Sequence, residues 1–159
     1  MILEDIAVFR GTVPPMGALA GLDLGTHTIG VALSDRLLTV ATPQATIRRK
    51  KFTQDAAALL ALLKDREAAG IVLGLPRNMD GTEGPRCQAT RAFARNLERL
   101  TELPITFWDE RLSTVAAERA LLEADTTRKR RAEIIDQVAA AYILQGALDR
   151  IRHLGDGAA

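Results

Sequence analysis

An α/β layered domain is the fold class this sequence predicts, with a mixed sheet (an antiparallel meander followed by parallel strands) flanked by helices. Three observations support it. Within residues 18–35 two apolar runs flank a short Gly/Thr/His turn, the pattern of a strand, a tight turn and a second strand. Residues 71–75, Ile-Val-Leu-Gly-Leu, are short, continuous and apolar, as expected of a strand covered on both faces. From residue 52 onward helical periods alternate with such strands, which places crossover helices against a parallel sheet.

Taken in order, residues 1–17 contain Pro14-Pro15 and Gly17 without a sustained period, and read as a partly ordered N-terminal extension. The hairpin around Asp23 opens a single domain over residues 18–152. A third strand is expected from about Leu38 to Ile47, at a sheet edge or broken, because Pro43 cannot donate to a ladder. Phe52, Ala56, Leu59, Leu60 and Leu63 share one face of a helix running to Ala69, which Gly70 stops. After the strand at 71–75, residues 76–85 are a loop of turn formers. A second helix spans Arg86 to Leu100 with Ala89, Phe93 and Leu97 aligned. Ile105 to Trp108 is the last strand. Ser113 or Thr114 caps a helix to about Glu123. The last helix begins in a basic run and continues to about Ile151, leaving 153–159 as a tail.

The 159 residues are 47% hydrophobic and 26% charged, the mix of an ordinary soluble globular protein. No apolar run approaches the ~20 residues of a membrane span. The start lacks a signal-peptide pattern, so a cytoplasmic location is expected. Cys87 is a lone cysteine with no disulfide or metal partner in the sequence. A net charge of +1 excludes a uniformly basic nucleic-acid binder. The cations are nevertheless clustered, in Arg48-Arg49-Lys50-Lys51 and in Arg128-Lys129-Arg130-Arg131. Either run reads as a solvated surface or as a set of phosphate contacts, and two of them in a nearly neutral chain favour phosphate. Aromatics are 4%, so backbone charge outweighs base stacking.

Three acids lie in apolar settings. Asp23 ends the first strand, where an unpaired buried carboxylate would cost several kcal/mol. Asp109 or Glu110 ends the last strand, and the pleat lets only one of them face a given site. Asp136 sits in the last helix on a small-residue face, with Ala132, Glu133, Ala139 and Ala140 three or four positions away. Each alone is an ordinary turn or helix acid. Together they form an oxygen-donor set suited to Mg²⁺ or Mn²⁺, and two such ions assist phosphodiester hydrolysis. Without metal, the three like charges are expected to repel.

Asp23-Leu24-Gly25-Thr26 with Ile29-Gly30-Val31-Ala32, Gly74-Leu75-Pro76 with Asn78-Met79-Asp80-Gly81, Asp109-Glu110-Arg111-Leu112-Ser113-Thr114, and Ile135-Asp136 with Ala139-Ala140 resemble the YqgF family. These are Holliday-junction-resolvase-like, pre-16S rRNA processing nucleases of bacteria. The resemblance covers residues 20–148 and implies a ribonuclease-H-like fold and a site for two Mg²⁺ or Mn²⁺ ions. It carries the catalytic and metal-binding roles onto Asp23, Glu110 and Asp136, and favours Glu110 over Asp109. Substrate contacts are expected from Thr26, His27, Asn78 and Arg111, and from Arg128, Lys129, Arg130 and Arg131. His27 stands where many members carry Lys or Arg. The implied partner is nucleic acid, with pre-rRNA favoured, branched DNA as the alternative, and ribosomal particles as its setting.

Two rivals come from other classes. The Asp-Leu-Gly-Thr segment also resembles the first phosphate motif of sugar kinases and actin-like ATPases, but those need a second domain and a second phosphate loop. A non-catalytic RNA- or ribosome-binding module explains the basic runs and leaves three acids without purpose.

Overall fold

The computed structural model describes residues 1–125 and 128–157, without the side chains at positions 116, 122, 123, 125, 128–133, 156 and 157. Strands β1 (Ala18–Leu24), β2 (Thr28–Ser34), β3 (Ala41–Arg48), β4 (Ala68–Leu75) and β5 (Ile105–Asp109) form one sheet in the order β3-β2-β1-β4-β5. β1, β2 and β3 pair antiparallel, while β4 pairs parallel with both β1 and β5. This is the mixed sheet expected from the order of periods. The carboxyl ends of β1, β4 and β5 therefore lie along one edge, where open α/β sheets place their sites.

Seven-residue helix α1 (Ile6–Thr12) precedes the sheet. Helices α2 (Phe52–Asp65) and α3 (Pro85–Glu98) cover one face, packing Leu59, Leu63, Phe93 and Leu97 on Ala20, Leu22, Ile71 and Leu73. The other face is covered by α1 and by α5 (Arg128–Gly157), through Phe9, Ala139, Ala140, Ile143, Leu144, Ala147 and Leu148. Between β5 and α5 lie a 3-10 turn (Glu110–Leu112) and helix α4 (Val115–Asp125), which packs on α5.

Several boundaries differ from the sequence expectation for identifiable reasons. The segment before Gly17 is structured: Asp5 caps α1 by accepting from the Ala7 amide at 2.8 Å, and Phe9 is fully buried. Seven residues are too few to show a helical period. Met1–Leu3 also extend the sheet beside β5, with Leu3 donating to the Ile105 carbonyl at 2.7 Å. Gly70 is not a helix stop. The helix ends at Asp65, Glu67 takes a left-handed φ of 55°, and β4 already contains Gly70. A Cβ there would lie 2.9 Å from the Phe9 ring, so the glycine admits α1 to the sheet. β3 is the edge strand expected from Pro43, and its register against β2 shifts between Val31 and Ala32, the residue paired with Pro43. α5 runs past Ile151 to Gly157, taking in much of the expected tail.

Candidate functional site

The pleat decides which face of β1 receives Asp23. Leu19, Gly21 and Asp23 alternate toward α5, and Asp23 pairs across the hairpin with Gly30. Glycines line this face. A Cβ on Gly21 would come within 2.6 Å of Leu144, and a Cβ on Gly30 would overlap the Asp136 backbone carbonyl. α5 thus approaches β1 and β2 without intervening side chains, which brings a helix acid against a strand acid. Gly25 and Gly74 keep space for the acids themselves, their virtual Cβ positions lying 3.3 Å from Asp136 Oδ2 and 3.2 Å from Glu110 Oε2.

Gly30→Ala is therefore expected to push α5 off the sheet. Overpacking of this kind costs about 1–3 kcal/mol, or roughly 2–12 °C of melting temperature at this chain length. Nuclease activity should fall with it, because Asp136 moves with the helix. A variant that melts and cleaves like the parent would show that the backbone contact carries no strain.

Three acids meet at the sheet edge. Asp23 and Glu110 are 4% and 8% exposed, and Asp136 is half-buried. The side chain of Asp136 lies within hydrogen-bonding reach of Asp23 and accepts a hydrogen bond from Thr28 Oγ1. A fourth group joins them. Arg119, on α4, donates from Nη2 to Asp23 Oδ1 at 2.7 Å and from Nη1 to Glu110 Oε1 at 3.1 Å. Its guanidinium neutralises one charge of three, so the site is not the bare cluster of like charges expected from the sequence. Burial, followed by the Asp23 charge, pushes the Asp136 carboxyl up from 3.8 to about 6. Burial also raises Glu110, with Asp23 adding to the shift and Arg119 opposing it. For Arg119, burial disfavours the charge, but Asp23 and Glu110 outweigh it and hold the guanidinium protonated.

Asp109 is turned away from this group. It accepts from Arg111 Nη2 at 2.7 Å and from the Arg111 amide at 3.0 Å, with Arg77 at 3.9 Å. Arg111 is thereby engaged in holding the 76–85 loop, through Asp109 and the Met79 carbonyl. Asn78 serves the same loop by donating to Thr82 Oγ1 at 3.0 Å. Neither is drawn to the three acids. Thr26 and His27 are exposed on the β1–β2 turn, one and two residues past Gly25. Arg128, Lys129, Arg130 and Arg131 begin α5, and their side chains lie outside the described residues.

Sequence reasoning missed Arg119 and Thr28, and both left a signal. Val115 and Arg119 are four residues apart, so the arginine shares a helix face with a buried valine. Thr28 and Gly30 are two apart in a strand and point to the same side.

The donor chemistry fits a hard divalent cation. All three acids supply oxygen, and the Asp23–Glu110 pair already holds a positive charge. As the side chains stand, no three acidic, His or Cys groups among the described residues form a ready cage, and a guanidinium pairs with two of the carboxylates. Arg119 engages one oxygen of each, Asp23 Oδ1 and Glu110 Oε1, and a carboxylate has a second oxygen to offer a cation.

A family model described as "RuvX: Holliday junction resolvase" matches residues 17–150. A protein of Ruegeria pomeroyi named "Putative pre-16S rRNA nuclease" is 75% identical over 97% of this chain and 100% of its own length. A Paracoccus denitrificans protein of the same name is 73% identical, over 98% of each chain. Among solved structures, T. thermophilus RuvC in complex with a Holliday junction substrate superposes with a TM-score of 0.50 at 11% identity, over 85% of this chain and 96% of that one. At that identity the likeness speaks to the fold. It is the ribonuclease-H-like α/β arrangement.

Proposed function

The chain belongs to the RuvX family of nucleases, and on that premise we propose that it hydrolyses phosphodiester bonds with divalent metal in 5′-end processing of pre-16S rRNA. The observation that carries the chemistry is the convergence of Asp23, Glu110 and Asp136 around a bound positive charge. The names of the relatives favour the RNA substrate.

In this reading Asp23, Glu110 and Asp136 hold Mg²⁺ or Mn²⁺. A pair of such ions bound there would supply Lewis-acid activation of water and neutralise the leaving oxygen. The protein's own contribution is to hold the acids in place. β1 and the turn after β5 fix two carboxylates on rigid backbone, and Thr28 fixes the rotamer of the third. Near neutral pH the Asp136 carboxyl is poised to give up the proton it keeps at lower pH, and the free carboxylate is the form that binds a cation. Thr26 and His27 on the adjoining turn, and the basic start of α5, contact the polymer. The setting is the cytoplasm, on precursor RNA or ribosomal particles. Among the described residues no helix is long and apolar enough to cross a membrane.

Branched DNA is the second reading, favoured by the description of the family model. Cleavage-site mapping on precursor 16S rRNA and on a four-way DNA junction, with and without Mn²⁺, separates the two. Discrete metal-dependent cuts near the mature 5′ end are expected. Paired symmetric nicks in the junction with intact RNA would favour a resolvase. Binding without any cut would leave an RNA-binding module.

A further inference from the structure

Beside the acids lies a cleft of about 420 Å³ that the chemistry above does not use. Its walls are Leu24, Gly25 and Thr26 of the β1–β2 turn, Arg49 and Lys50 of the β3–α2 connection, and Arg86 of α3. Three cations from two distant segments converge here. Arg49 is tied to the turn at both ends: its amide donates to the His27 carbonyl at 2.8 Å, and its Nη1 to the Gly25 carbonyl at 2.7 Å. Arg86 Nη2 reaches the Leu24 carbonyl at 3.4 Å. Lys50 is positioned from below, where buried Asp55 accepts its amide at 2.9 Å.

Among the described residues no carboxylate forms an ion pair with Arg49, Lys50 or Arg86. Arg77, Arg91, Arg111 and Arg119, by contrast, all have acid partners. Each guanidinium in the cleft spends a single donor on a carbonyl and has others free. The cleft opens at the same sheet edge as the acids. Asp23 immediately precedes Leu24, and the Arg86 charge is felt at both Glu110 and Asp136. Among the described residues no aromatic ring lines it, so bases find no ring there to stack on.

We infer that this cleft is a backbone-phosphate subsite. It holds the sugar-phosphate chain of a single strand beside the bond to be cut, and it reads no base. The inference rests on the nuclease reading for its ligand, and it gives Arg49 and Lys50 of the basic run a location that sequence could not supply.

The test is the salt dependence of single-stranded RNA binding by the full chain, in EDTA so that nothing is cleaved, with oligo(U) and oligo(A) as probes. Replacing Arg49, Lys50 and Arg86 together by Gln should flatten the slope of log affinity against log salt by about 2, from about 0.7 per lost contact. Between 50 and 200 mM salt the parent should lose about 20-fold more affinity than the variant. Both probes should be affected alike. Arg49→Lys with Arg86→Lys should keep the slope, because charge survives while the carbonyl ties of the fork are lost. An unchanged slope in the Gln variant overturns the subsite. So does an equal loss in the Lys variant, which would reveal a structural role for the arginines. A loss confined to one base would refute backbone-only reading. Cleavage of precursor RNA and of the four-way junction by the parent is scored separately, so a flattened slope with neither cut refutes the nuclease reading and leaves the subsite standing.

Discussion

Asp23→Asn should fold as the parent does and lose Mg²⁺- or Mn²⁺-dependent cleavage by at least about 100-fold. Lewis-acid stabilisation by a bound metal is worth several kcal/mol, and each ~1.4 kcal/mol is a factor of ten. Asn keeps the shape of the side chain and removes the charge that cations require. Folding should survive because the site carries three acids against one guanidinium, and Arg119 retains Glu110 at 3.1 Å when Asp23 is neutral. Glu110→Gln should behave similarly. Asp109→Asn should be milder for catalysis, since Asp109 holds Arg111 and the 76–85 loop rather than the acid group. Rates measured at saturating metal and substrate decide the matter. A parental rate in Asp23→Asn would end the metal-ligand assignment, and a larger defect in Asp109→Asn would place the site on the other side of the strand.

Much of this arrangement was legible in the sequence because it rests on periodicity. The hairpin, the apolar run at 71–75 and the two middle helices follow from patterns of two and 3.6 residues, and the parallel crossovers follow from their order. Pro43 marked an edge strand for a local reason, the missing donor. Other features that depend on close approach were not visible. Gly21 and Gly74 sit inside apolar runs with nothing local to mark them, yet each makes room for α5 or for Glu110. Gly70 looked like a helix stop because its need, room for the Phe9 ring, lies 61 positions back in the chain. The choice of Glu110 over Asp109 came from resemblance. The geometry adds a physical account, in which the 3-10 turn after β5 swings Glu110 inward while Asp109 caps that turn. Arg119 escaped because a cation nine residues beyond Glu110 has no pattern of its own; only the packing of Val115 brings its helix face to the acids.

Removing metal should expose the electrostatic tension at Asp136. Its carboxyl titrates at about 6 in the folded protein against 3.8 when free. Between those values the folded state binds more protons than the unfolded state, so stability falls as pH rises through the window. Glu110 is shifted in the same direction and adds to the effect. In EDTA the protein should therefore melt higher near pH 5 than near pH 7, and Asp136→Asn should flatten that dependence. At pH 7 in EDTA the variant should melt above the parent while being inactive. Each 1 kcal/mol released corresponds to about 2–4 °C for a chain of this size. Mn²⁺ should reverse the order. At ~100 times its Kd a ligand of the folded state contributes about 2.7 kcal/mol, or roughly 5–10 °C, and the variant lacking one ligand should gain much less. Arg119→Gln should shift the opposite way, melting lower in EDTA because Asp23 and Glu110 lose their shared cation, and gaining more from Mn²⁺ because nothing competes for them. Thermal melts of the three proteins across pH, with EDTA and with Mn²⁺, read all of these at once. Equal metal-induced shifts in parent and Asp136→Asn would place Asp136 outside the metal site, its raised pKa then reflecting burial beside Asp23 and nothing more.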